Sequence, residues 1–354
     1  MNMLQNGTVR DAGVSAVHVD RVRAACADWV KKAMTPALIV LAARHGVIFL
    51  HEAWGRLGPE KDSPPAGSDT IFGLASISKP VTATAVMTLV ETNQIGLHSP
   101  IQVFLPEFHG PGCEEITVWH LLTHTSGLPN RSGGGPLEAG QAGLEHKPGT
   151  WMAYSNAGYD LLGELVQRVS DSPLDAYIRR SIFEPLGMKD STMIHARGAV
   201  ERTIRRMPGT AFDWPVEMEG TCCGSSSLWG TALDLAIFLQ TFLNQGGYGK
   251  TRLLRPETVT AMTQNQVKGI PRELVNGVPN QPRGLGWFLL EGMRFPNSPT
   301  LLSKLSYGHA GASGAFAWVD PACDLIGVFL FAKTHPDSYP LGRFVDSVMR
   351  SILR

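Results

Sequence analysis

Ser76-Ile77-Ser78-Lys79 is the one place in this chain where a lysine follows a serine by three residues. On a helix that spacing brings hydroxyl and amine to one face. The chemistry open to such a pair is nucleophilic attack on a carbonyl, with the amine taking the hydroxyl proton. Chance alone supplies about 0.65 such pairs in a chain of this composition, so the spacing counts only with its context. A capping serine ahead of a solvated lysine would give the same letters. Pro80 suits a helix that begins near Ser76, because first-turn N–H groups have no carbonyl partner and a proline there loses nothing. Ser76 is thus expected at the positive end of a helix, where backbone N–H groups can hold a developing oxyanion.

Two later stretches offer partners. Tyr154-Ser155-Asn156, inside WMAYSNAGY, supplies a phenol and an amide, and Tyr-x-Asn arises by chance only about 0.17 times here. Gly308-His309-Ala310-Gly311 sets an imidazole between glycines that allow close backbone approach to a ligand. Taken singly, each has a structural explanation: a core tyrosine with a capping asparagine, and a packed histidine. His120 and His124 have zinc-compatible spacing, but the glutamate of HExxH and a third ligand are missing, so no metal is expected. Trp151, Phe212, Trp214 and Met218 are candidate walls of an acyl pocket, although such residues also fill ordinary cores.

The elements that must position these residues follow from periodicity. Asp20 is expected to cap a helix carrying Val22, Cys26, Trp29 and Val30 on one stripe. ALIVLAA (37–43) and VIFLHEAW (47–54), joined by Arg44-His45-Gly46, read as a strand hairpin. From residue 76 to about 264 the patterns are mostly helical. Strands return at 286–292, 314–320 and 325–332, and a last helix carries Phe344, Val345, Val348, Met349, Ile352 and Leu353 on one side. Residues 268–283 read as a long surface loop. The expected fold is α/β of the α+β kind, an antiparallel sheet flanked by N- and C-terminal helices with an inserted helical lobe. Residues 1–75 and 285–354 would form the sheet lobe, residues 76–284 the helical lobe, and the site would lie in the cleft between them.

Thirty-one basic and 31 acidic side chains cancel, which removes the basic excess that nucleic-acid or membrane-surface binding requires. No apolar run approaches the roughly 20 residues that span a bilayer, and the polar start lacks a signal-peptide pattern. A cytoplasmic protein with reduced thiols is expected, since the five cysteines form no CxxC pair.

SISK, YSN and HAG in that order, together with HLLTHTSGLP (120–129) and FEPLGMKDS (183–191), resemble the serine β-lactamase and penicillin-binding superfamily. Within it the chain is most similar to class C β-lactamases and the carboxylesterases that share their fold. The resemblance implies Ser76 as nucleophile, Lys79 and Tyr154 as the proton-handling pair, and the N–H groups of Ser76 and Ala312 as oxyanion hole. It also implies Asn156, His309 and Gly311 as substrate contacts, with no cofactor, and Trp151 is expected beside them as a wall of the acyl pocket. His309 stands where many relatives have the lysine of Lys-Thr-Gly. An imidazole is a weaker partner than a permanent cation for the carboxylate of a β-lactam or peptide. The expected activity is therefore hydrolysis of small uncharged carboxylic esters through an acyl-enzyme. The same machinery would also serve a β-lactamase, a D-amino-acid peptidase or amidase, or an acyltransferase; the alternative outside catalysis is a binding or sensor domain that kept the cleft. Whether Lys79 or Tyr154 is the base is left open, as is the oligomeric state.

Overall fold

The computed structural model describes residues 1–130, 135–194, 201–205, 220, 222–275, 277–291, 293, 298–332 and 339–352. Phe212, Trp214, Met218 and Leu353 lie outside them. The chain opens with a short strand, β1 (Gln5–Asn6), and helix α1 (Ala16–Lys31). β2 (Ala37–Arg44) and β3 (Val47–Gly55) make a hairpin whose turn residues His45 and Gly46 both take positive φ. β4 (Phe72–Ala75) leads into α2 (Ser78–Glu91). Helices α3 (Val118–Leu122), α4 (Asn156–Ser170), α5 (Leu174–Ile178) and α6 (Glu184–Leu186) follow, then β5 (Leu228–Gly230) and α7 (Ala232–Leu243). One small hairpin, β6 (Gly247–Tyr248) with β7 (Thr251–Arg252), precedes α8 (Pro256–Thr263), and another, β8 (Leu274–Val275) with β9 (Val278–Pro279), follows it. The chain then returns to strand with β10 (Phe288–Leu289), β11 (Tyr307–Ala310), β12 (Ala315–Asp320) and β13 (Leu325–Phe331), and α9 (Leu341–Arg350) ends it.

Seven strands form one sheet in the order β1-β3-β2-β13-β12-β11-β10. All its pairs are antiparallel except β1 with β3, an edge pairing through polar Gln5 and Asn6 that no hydrophobic pattern announces. The central strands are apolar on both faces because both are covered. Ile39, Leu41, Ile326, Val328 and Leu330 enter the larger core, whereas Leu38, Val40, Phe329 and Phe331 enter a second one. α1 and α9 close the second core with Trp29, Phe344, Val345 and Val348; α7 lies across the other face, with α2 and α4 in the same core. Each such buried side chain stabilises the fold by about 1.5–3 kcal/mol.

Four local expectations need correction. Asp20 does not cap α1; the helix starts after Ser15, and Asp20 lies inside it, paired with Arg23 at 2.8 Å. Ser76 precedes α2 by two residues instead of opening it. Strand 286–292 shrinks to the two residues of β10, and the loop 268–283 contains the β8–β9 hairpin. Among the described residues no helix is long and apolar enough to cross a membrane.

Candidate active site

Ser76 stands half-buried in the turn between β4 and α2. Ala75 ahead of it takes a left-handed conformation (φ 46°), which costs an alanine about 1 kcal/mol and recurs where a fold positions a functional group. Ser78 pins this turn: its hydroxyl donates to Ala75 O at 2.6 Å and accepts from Leu228 N–H at 2.8 Å, tying it to β5. Lys79, in the first turn of α2, is completely buried. A lone ammonium could not be kept there, but Lys79 Nζ has three oxygen neighbours: Asn156 Oδ1 at 2.7 Å, Ser225 O at 2.9 Å and Ser76 Oγ at 3.2 Å. Burial brings the amine down to about 7, against the carboxylate of Asp160, which holds the proton on, and aided by the charge of Arg283.

α4 delivers the second set. Ser155 caps it, accepting from Gly158 N–H at 3.1 Å, which leaves Tyr154 just outside the helix and Asn156 as its first residue. The amide of Asn156 is engaged at both ends, since its Nδ2 donates to Asn130 Oδ1 at 3.0 Å while its Oδ1 meets Lys79. One helical turn on, Asp160 accepts Ser225 N–H at 2.9 Å and so holds the loop whose carbonyl meets Lys79. The Tyr154 hydroxyl faces Ser76 closely enough for the serine side chain to act on its ionisation, and Lys79 Nζ lies 4.7 Å from the Tyr154 ring centroid. Burial pushes the phenol up to about 12, opposed by the Ser76 side chain and by Arg283. His124 stacks on Tyr154 at 4.6 Å and accepts Ser155 N–H through Nδ1, so its Nε2 bears the proton of the neutral ring.

β11 carries the third motif beside this turn. A Cβ on Gly311 would come 2.4 Å from Leu74 O, and one on Gly308 would come 2.4 Å from Ala317 O. The close approach these glycines allow is therefore to neighbouring strands. Ala312, the next residue, is exposed, and among the described residues neither its N–H nor that of Ser76 has an acceptor. His309 is almost fully buried, with Nδ1 2.9 Å from Ala310 O, its ring 3.9 Å from that of Phe288, and Nε2 unpartnered. Burial, together with the charge of Lys79, holds its pKa well below the usual imidazole value, so it is neutral.

Ser76, Lys79, Tyr154 and Asn156 thus meet in space. Trp151 is half-buried against His146, ring centroids 5.4 Å apart. His120 accepts Thr117 N–H and helps cap α3. Sequence reasoning missed Asn130, Asp160, Ser225, Glu273 and Arg283 and weighed His124 only as a metal ligand, though all six lie at or around Lys79 and Tyr154. Asp160 had a readable signal, four residues after Asn156 on one helix face; the others come from loops with no periodicity to betray them.

The family model described as Beta-lactamase matches residues 26–346, so the chain belongs to the beta-lactamase family. It is a serine β-lactamase-fold hydrolase. An Escherichia coli (strain K12) protein named "Putative D-alanyl-D-alanine carboxypeptidase" is 26% identical, over 85% of this chain and 79% of that one. The solved structure titled "EstCE1, a hydrolase with promiscuous acyltransferase activity" covers 95% of this chain and 98% of its own at 21% identity, with a TM-score of 0.76. A penicillin-binding protein homolog from Caulobacter crescentus covers 94% and 98% at 22% identity, with a TM-score of 0.77. These structural likenesses bear on the fold alone.

Proposed function

We propose that the protein is a carboxylesterase that hydrolyses small uncharged esters through an acyl group on Ser76. The observation that carries this reading is the arrangement of the Lys79 amine. As a neutral amine it has two N–H bonds and one lone pair. Asn156 Oδ1 and Ser225 O accept the two N–H groups, and the lone pair is left for the proton of Ser76. With its pKa near 7, this amine is about half neutral at pH 7 and increasingly neutral above it, whereas the Tyr154 phenol keeps its proton. Lys79 is therefore the base.

Ser76 Oγ attacks the ester carbonyl as its proton passes to Lys79, and the oxyanion forms between the N–H groups of Ser76 and Ala312, each worth about 3 kcal/mol. The departing alkoxide takes a proton from Tyr154, which recovers one from Lys79. Water then enters by the same route in reverse roles, releasing the acid and restoring the serine. The preference for uncharged esters is supported by the neutral, buried His309 at the third-motif position, which offers no fixed cation to a substrate carboxylate.

The test compares turnover of a short-chain nitrophenyl ester with that of a chromogenic cephalosporin and a D-alanyl-D-alanine peptide. Faster turnover of the ester is expected. Equal or faster turnover of the lactam would make the protein a β-lactamase, and equal or faster turnover of the peptide would assign the site to the carboxypeptidase chemistry in the curated relative's name. Cytoplasmic residence belongs to the same reading and is consistent with the five free cysteines.

A further inference from the structure

Among the described residues, Arg283, just ahead of β10, is the one large buried cation that the SISK, YSN and HAG motifs do not include. It is 2% exposed, yet among the described residues its guanidinium has a single hydrogen bond, Nη2 to Asn280 Oδ1 at 3.2 Å, while Nε and Nη1 have no partner there. Leaving buried donors unmade is costly, and methionine or leucine would fill the volume without that cost. The charge lies on two rings, with Cζ 3.8 Å from the Phe288 centroid and 5.8 Å from that of Tyr154. The acid within reach, Glu273, spends Oε1 on Tyr154 N–H at 2.9 Å and on Asn280 Nδ2 at 2.7 Å. Asn280 thus holds the cation in place while the acid faces the tyrosine backbone.

We propose that Arg283 is a positioning residue of the proton-transfer pair, whose buried and unneutralised charge beside Tyr154 supplies the cationic field that His309 does not. The groups around the pair are Lys79 from α2, His124 after α3, Tyr159 and Asp160 from α4, Cys223 ahead of β5, Arg272 and Glu273 ahead of β8, and His309 from β11. The two histidines are neutral and Arg272 is partly solvated, so Arg283 is the buried fixed cation set against Asp160 and Glu273. Its charge favours the neutral amine against Asp160, which holds the proton on Lys79, and opposes Glu273, which holds the proton on Tyr154.

The proposal rests on Lys79 being the base, and its test separates the two. Arg283→Gln keeps a donor for Asn280 and removes the charge. The acid limb of the kcat/KM profile for a nitrophenyl ester is expected to move up by about one pH unit, a loss of about tenfold at pH 6 with little change at pH 9. Arg283→Lys should restore the wild-type limb, and Asp160→Asn should move it down. Should the glutamine variant fail to fold, Arg283→Met fills the same volume and carries the same expectation. A uniform loss at every pH with the limb unmoved would make Arg283 a packing residue and overturn the proposal. An active Lys79→Ala would instead remove the reading beneath it.

Discussion

At the scale of single residues, the site depends on burying an amine that water would keep charged. Desolvation at Lys79 favours the neutral amine, and two fixed carbonyl acceptors take its N–H groups and aim its lone pair. The rate of Ser76 acylation should therefore rise with pH through about 7, as the folded amine loses its proton, and level off above it. Stopped-flow acylation by a nitrophenyl ester measures this limb, and a flat profile between pH 5.5 and pH 9 (about two units on the alkaline side) would remove Lys79 as the titrating base. Lys79→Ala and Tyr154→Phe should each lower kcat at least about a hundredfold with the circular dichroism spectrum retained. Wild-type turnover in either variant would take that residue out of the mechanism.

At the scale of elements, the β4–α2 turn, the start of α4 and the end of β11 must hold their registry. Gly311 marks how tightly: its Cβ would strike Leu74 O, one residue before the turn that carries Ser76. Gly311→Ala should destabilise the fold by about 1–3 kcal/mol in urea denaturation and lower kcat by about tenfold or more. Gly135→Ala, where nothing lies within 4 Å, should do neither. The β2–β3 hairpin, the later strands and α9 were readable because their burial is periodic, or continuous where both sheet faces are covered. Ser76, Lys79 and Tyr154 were readable through the family resemblance that SISK and YSN carry, not from their spacing alone. The environment that tunes them was not: Arg283 and Glu273 sit in a Pro- and Asn-rich stretch that looks like surface loop, and only the closure of that loop onto Tyr154 buries the arginine. Likewise the burial of His309 could not be read, because it comes from the packing of β10 on β11, which sets Phe288 against the ring.

At the scale of the whole molecule, two cores on opposite faces of one sheet support the site, and they separate stability from function. Phe344→Ala, in the core under α1 and α9, should cost about 3–5 kcal/mol yet leave KM unchanged at temperatures where the protein stays folded. Lys79 works the other way. The unfolded chain keeps that proton to about pH 10.4, whereas the folded protein releases it near 7, so between these values the contribution of Lys79 to stability grows as pH rises. Melting curves should therefore show the Tm advantage of Lys79→Met over wild type shrinking as pH rises from neutral toward that upper value; an advantage independent of pH would contradict the buried neutral amine. The convergence of three distant stretches on one hydroxyl is tested most directly by intact-mass analysis after treatment with a serine-reactive phosphonate. The account predicts a single adduct per wild-type chain, mapped to Ser76 and absent from Ser76→Ala; an adduct that persists in Ser76→Ala, or none on the wild type, would contradict it.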